Sequence, residues 1–123
     1  MPLITHADAP VIEAHGVVAR PLAVPSRGST ELAIWSLTVP PGGPAQAHTV
    51  DREEVFVVQR GTLSGHLDGD PVTVGSGDVL AVPAGVPFAL GNAGAEPATA
   101  LVCTSAGVTA TMNGARVVPP WSR

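Results

Sequence analysis

Apolar and polar residues along this chain alternate with a period of two, and no segment shows the 3.6 period of a helix. Trp35, Leu37 and Val39 alternate with Ser36 and Thr38, which predicts a half-buried strand within Glu31 to Val39. Glu54 to Val58 predicts the next strand, with Glu54, Phe56 and Val58 on one face and Val55 and Val57 on the other. Apolar residues on both faces predict a strand between two layers. Further short strands are predicted at Val72 to Val74, Val79 to Val82, Pro87 to Leu90 and Thr99 to Thr104, and one more within Gly107 to Val118. Glycine and proline clusters such as Asp68-Gly-Asp-Pro71 and Gly75-Ser-Gly-Asp78 separate them. Strands spaced by roughly eight to twelve residues, with a turn signal at each break, read as an all-β barrel or sandwich.

The ends differ from the middle. Residues 1–16 are polar and mixed and predict an arm or edge strand, 17–118 the barrel, and 119–123 an extended tail. Pro21 removes a ladder donor from Val17 to Val24, which places that strand at an edge or splits it. Trp121 in the Pro-Pro-Trp tail is expected to dock on a neighbour or on its own barrel. Edge-like terminal strands and this apolar tail predict a homodimer, because uncovered edges are usually paired or protected. Light scattering at micromolar concentration should give the mass of two chains; a single-chain mass overturns the expectation.

Composition narrows the function classes. The 123 residues suit one domain, and 45% hydrophobic against 13% charged residues describe a packed chain. A net charge of −4 without a basic run argues against nucleic acid and anionic membranes as partners. No apolar run approaches the ~18 residues of a membrane span, and no signal-peptide pattern opens the chain, so a cytoplasmic protein is expected. All six basic residues are arginine, which excludes a Schiff-base lysine. The single Cys103, in an apolar run, is predicted to be a buried inert thiol.

Two spaced patterns carry the chemistry. In the first, Gly42 is followed after five residues by His48, then Val50, Glu54 and, after six more residues, Gly61. In the second, Gly77 leads to Pro83-Ala-Gly85, then Phe88, and Asn92 closes it. Together they resemble the two cupin motifs, with Val50 and Phe88 standing where the family places its second and third histidines. The resemblance implies a cupin double-stranded β-helix, a jelly-roll barrel with little or no helix, whose interior takes a metal or a ligand. It also implies that His48 faces the interior, and Gln46 and Val50 share its parity. A two-residue hairpin at Arg60-Gly61 would pair Val55 with His66 and put His66 outside the site, whereas a three-residue loop would turn it inward.

A full cupin set of three histidines and a glutamate would hold a divalent transition metal (Zn, Ni, Fe or Mn). Here only His48 and Glu54 remain as metal ligands, and three protein ligands are the usual minimum for zinc, so no cofactor is favoured. The reading instead pairs His48 and Glu54 as catalytic groups in an apolar pocket lined by Gln46, Val50, Phe56 and Phe88, with Trp35 packing there or in the core. Such a pair suits isomerase, cyclase or lyase chemistry on a small carbonyl-containing molecule. The absence of tyrosine removes the phenolic acid of metal-free cupin sugar epimerases. Phosphorylated and polyanionic substrates fit this interior poorly. Two alternatives stay open: a metal enzyme with a reduced ligand set, and a non-catalytic small-ligand-binding cupin.

Overall fold

A glycine or proline ends nearly every strand, so the strands are short and the sheets are built from many pieces. The computed structural model describes residues 2–123 and Met1 lies outside the described residues. The strands are β1 (Ile12–Ala14), β2 (Val17–Pro21), β3 (Leu32–Val39), β4 (Thr49–Val50), β5 (Glu54–Arg60) and β6 (Leu63–Leu67). They continue as β7 (Asp70–Val74), β8 (Val79–Val82), β9 (Phe88–Gly91), β10 (Ala98–Ser105), β11 (Ala110–Met112) and β12 (Ala115–Val117). Helical geometry is confined, among the described residues, to single 3₁₀ turns at Pro25–Arg27 and Pro120–Ser122. No helix there is long and apolar enough to cross a membrane.

One layer is a six-stranded antiparallel sheet in the order β1-β2-β3-β10-β5-β8. The other consists of two three-stranded sheets, β7-β6-β9 and β12-β11-β4. An antiparallel bridge joins these two: the His48 N–H donates to the Phe88 carbonyl at 2.9 Å, and the Phe88 N–H donates back at 3.0 Å. The inner face of the large sheet is ordered by register. Trp35 of β3 lies opposite Val102 of β10, and Val102 lies opposite Phe56 of β5, which in turn pairs with Leu80 of β8. The centre of that face is small, with Ala33, Ala98 and Ala100 fully buried. Small residues under large aromatic neighbours leave space between the layers.

The sheets correct several expectations. β5 and β6 do not form a hairpin: β5 pairs with β10 and β8, whereas β6 pairs with β7 and β9, so Arg60-Gly61 is a crossing between layers. His66 is nevertheless exposed on the outside, because Leu63 and Leu67 take the inner positions of β6. Gly107 to Val118 is two strands, since Asn113 and Gly114 both adopt positive φ (52° and 76°) and turn the chain back. β2 is not an edge strand. The three-residue β1 covers its outer side only as far as Ala19, so Pro21 lies beyond the β1 pairing while still facing Trp35 of β3. Val55 and Val57 are half-buried on the outer face, with no second layer above them among the described residues. Cys103 shares that face at an intermediate depth, and burial pushes its thiol pKa up.

Asn92, the last residue of the second motif, is a structural tie. Its buried amide donates to the Val39 carbonyl at 3.0 Å and the Glu96 carbonyl at 2.7 Å, and its oxygen accepts from the Gly94 N–H at 2.9 Å. Gly65 permits the close pairing of β6 with β9: a Cβ there would stand 1.8 Å from the Ala89 carbonyl oxygen.

Candidate functional site

The space between the layers opens as a cavity of about 160 Å³. The two motifs meet in it. Glu54, the first residue of β5, enters from the large sheet on the same face as Phe56. His48 and Val50 enter from the opposite layer, and Phe88 from the paired strand beside His48. The His48 and Phe88 rings lie 4.3 Å apart, and Phe88 meets Phe56 edge-to-face at 5.7 Å. Gln46 lines the mouth and is exposed, while Trp35 is buried at 3% exposure in the core and lines the cavity as well. All seven residues singled out by the motifs and the alternation therefore border one space.

Glu54 is the unusual group. Its side chain is 4% exposed, and no protein donor or cation reaches it among the described residues. No polar side-chain atom among them is sealed away unpartnered, so the Glu54 carboxyl and the Trp35 indole N–H, both without protein partners, open onto the cavity. Removal from water disfavours the carboxylate and pushes the Glu54 pKa from 4.5 up to about 7. Near neutral pH it is therefore a reservoir of both acid and base.

His48 is oriented differently from the expected pair. Its Nδ1 lies 2.9 Å from the backbone carbonyl of Gln46. A carbonyl only accepts, so Nδ1 carries the hydrogen and Nε2 of the neutral ring keeps a free lone pair. No His48–Glu54 ion pair falls within 4.0 Å among the described residues, so the two border the cavity as separate groups rather than as a hydrogen-bonded couple.

Part of the wall was not visible in the motifs. Met112 of β11, Val117 of β12 and the tail residues Val118, Pro119, Pro120 and Trp121 close one side. His15, at positive φ (53°) in the β1–β2 turn, lines the same rim and meets Trp121 edge-on at 6.5 Å. The tail thus docks on its own barrel. Ser26 Oγ donates to the Arg123 carbonyl at 2.7 Å, and Asp51 accepts from the Thr109 N–H at 2.7 Å, anchoring the segment on both sides. Pro-Pro-Trp was the available signal for the tail; nothing local marked His15.

The donor set does not fit a resident transition metal. Val50 and Phe88 occupy two of the four positions that the motifs assign to ligands, and no three His, Cys, Asp or Glu side chains converge among the described residues. Replacing Val50 and Phe88 by histidine should create a site, because both side chains already border the cavity with His48 and Glu54. Metal titration should show the folded double variant binding nickel or zinc more tightly than the natural protein, at a stability cost of about 1–3 kcal/mol for repacking. Equal affinity would mean that the four positions do not converge.

Glu54 also makes a pH prediction. Its folded pKa lies above the unfolded value, so the folded state holds the extra proton between pH 4.5 and about 7. Stability falls as pH rises through that window and stays lower above it. Glu54→Gln should remove the loss, leaving the variant more stable than the natural protein by up to roughly 3 kcal/mol at pH 8, with little difference at pH 4. Urea unfolding from pH 4 to 9 checks this; parallel pH profiles would contradict it.

Comparison with known proteins agrees with this architecture. A family model described as a cupin domain matches residues 35–104, more than half of the chain. No curated protein sequence matches it. Among solved structures it is similar to the polyketide cyclase RemF from Streptomyces resistomycificus, at 19% identity over 96% of this chain and 82% of that one, with a TM-score of 0.75. A sugar phosphate isomerase of the cupin superfamily from Silicibacter pomeroyi aligns at 20% identity over 93% and 83%, TM-score 0.73. An RmlC-like cupin from Shewanella frigidimarina aligns at 17% over 82% and 86%, TM-score 0.70. At these identities the structures show a shared fold. With both motif frames lining one cavity in a two-layer jelly roll and the family model spanning them, the chain belongs to the cupin domain family.

Proposed function

We propose that this cupin is a metal-independent acid/base enzyme of the isomerase, cyclase or lyase type, acting on a small carbonyl-containing molecule. Glu54 carries the reading: a carboxyl with no protein partner, facing an apolar cavity that also holds an imidazole. In its acid form, Glu54 donates a hydrogen bond to the substrate carbonyl oxygen. His48 Nε2 takes a proton from the adjacent carbon; that C–H bond breaks and its electron pair forms the enol double bond. The Glu54 proton passes to the oxygen. Where the enol is conjugated, the oxygen returns its proton to Glu54 as His48 delivers its proton to a different carbon, which isomerises the substrate. Attack of the enol carbon on a second carbonyl instead closes a ring, with the enol proton returning to Glu54 and the new alkoxide taking the proton from His48.

Burial keeps Glu54 protonated at a pH where an exposed glutamate is not, and a general acid works best when its pKa lies near the operating pH. The Gln46 carbonyl fixes the tautomer that leaves Nε2 as the base. The names of two structural neighbours, a polyketide cyclase and a sugar phosphate isomerase, lie within this range of reactions.

Exchange of the methyl hydrogens of acetophenone in D₂O, followed by NMR, tests the chemistry without knowledge of the natural substrate. The natural protein should accelerate exchange above the buffer rate. His48→Ala should lose about 10²–10⁴ of that acceleration while still folding, and Glu54→Gln should lose a similar factor. Acetophenone binding with no exchange would assign the protein to the binding class instead. A folded His48→Ala variant with full exchange would remove His48 from the mechanism.

A further inference from the structure

We propose that the cavity selects an uncharged molecule the size of one substituted six-membered ring, and that the carboxy-terminal tail sets that limit. The proposal rests on the cavity being the ligand site and needs no catalytic step.

Size is the first argument. The cavity measures about 160 Å³, and an apolar cavity of about 150 Å³ is known to hold one benzene. A fused two-ring molecule needs more room than that. The wall that closes the space on this side is the tail, through Pro119, Pro120 and Trp121, held by the Ser26–Arg123 hydrogen bond and by the contact with His15.

Charge is the second argument. The chain has no lysine, and none of its six arginines borders the cavity. The titratable groups that face it are Glu54, His48 and, at the exposed rim, His15. A carboxylate or phosphate entering here would lose its water without meeting a fixed cation, which disfavours it. It would also approach Glu54, and any ionised fraction of that carboxyl would repel it. A neutral carbonyl or hydroxyl meets no such penalty, because the Glu54 carboxyl and the Trp35 indole N–H are both without protein partners.

Shape is consistent with both. Trp35, Phe56, Phe88 and Trp121 present ring faces and edges to the space, surfaces that favour a planar ring.

Calorimetric titration of the natural protein at pH 7.5 with three probes decides the matter. Acetophenone is the neutral single ring, benzoate its near-isosteric anion, and 2-acetylnaphthalene the neutral double ring. Acetophenone should bind at least tenfold more tightly than either of the others. Trp121→Ala should narrow the gap for 2-acetylnaphthalene and leave the gap for benzoate. Benzoate binding as tightly as acetophenone, or no acetophenone binding at all, overturns the charge and ligand assignment. A double ring that binds the natural protein as well as the single ring overturns the role of the tail. Selective binding without hydrogen exchange would leave this proposal standing while removing the acid/base mechanism, so the two can fail separately.

Discussion

Two hydrogen bonds between His48 and Phe88 hold the architecture of the site together. Together with the flanking Gly85–Val50 and Gly43–Asn92 backbone hydrogen bonds, that bridge joins the smaller sheets β7-β6-β9 and β12-β11-β4, each too small alone to face the six-stranded sheet as a wall. With it they form one layer, and the residues that make the bridge are the same ones that reach the cavity. The pairing brings the His48 and Phe88 rings to 4.3 Å, so one motif's histidine packs against the other motif's apolar substitute. Fold and site are therefore coupled where the two motifs pair, with His48 and Phe88 at the cavity.

Opposite that wall, the large sheet contributes a carboxyl under strain of a different kind. Glu54 is buried among Phe56, Val50 and Phe88 without a donor or cation to stabilise its charge. Buried carboxylates are usually paired, since the desolvation cost is otherwise met by holding the proton. A carboxyl buried in this way beside a cavity is the observation on which the proposed function rests. By contrast Asn92 and Asp51 hydrogen-bond to the backbone and hold loops in place, Asp51 with its pKa lowered chiefly by the Thr109 backbone N–H. Those side chains are tied into the loops, whereas the Glu54 carboxyl and the Trp35 indole N–H face the cavity without protein partners among the described residues.

The alternation of apolar residues was enough to find most strands. A side chain that must face a core recurs every second residue, and this holds from Trp35 to Val39, through Glu54 to Val58 and along Ala98–Ser105. The spacing of Gly42, His48, Glu54 and Gly61, with that of Gly77, Pro83, Gly85 and Asn92, was likewise sufficient for the family and for placing Glu54 and His48 inward. Asn113-Gly114 was a turn signal present in the chain and passed over, which merged β11 and β12 into one strand.

What local pattern could not decide was which strand lies beside which. Alternation gives a strand's face but not its neighbour, and Arg60-Gly61 fits a hairpin as well as a crossing between layers. Only the competing pairings of β5 with β10 and β8 settle that choice. The same limit hid the missing contact between His48 and Glu54, because residues close in sequence stand on opposite layers. It hid the tail and His15 as parts of the wall, because their place depends on docking across more than a hundred residues of chain. The identity of the inward groups was written in residue order; the distance between them, and the volume they enclose, came from how the layers close.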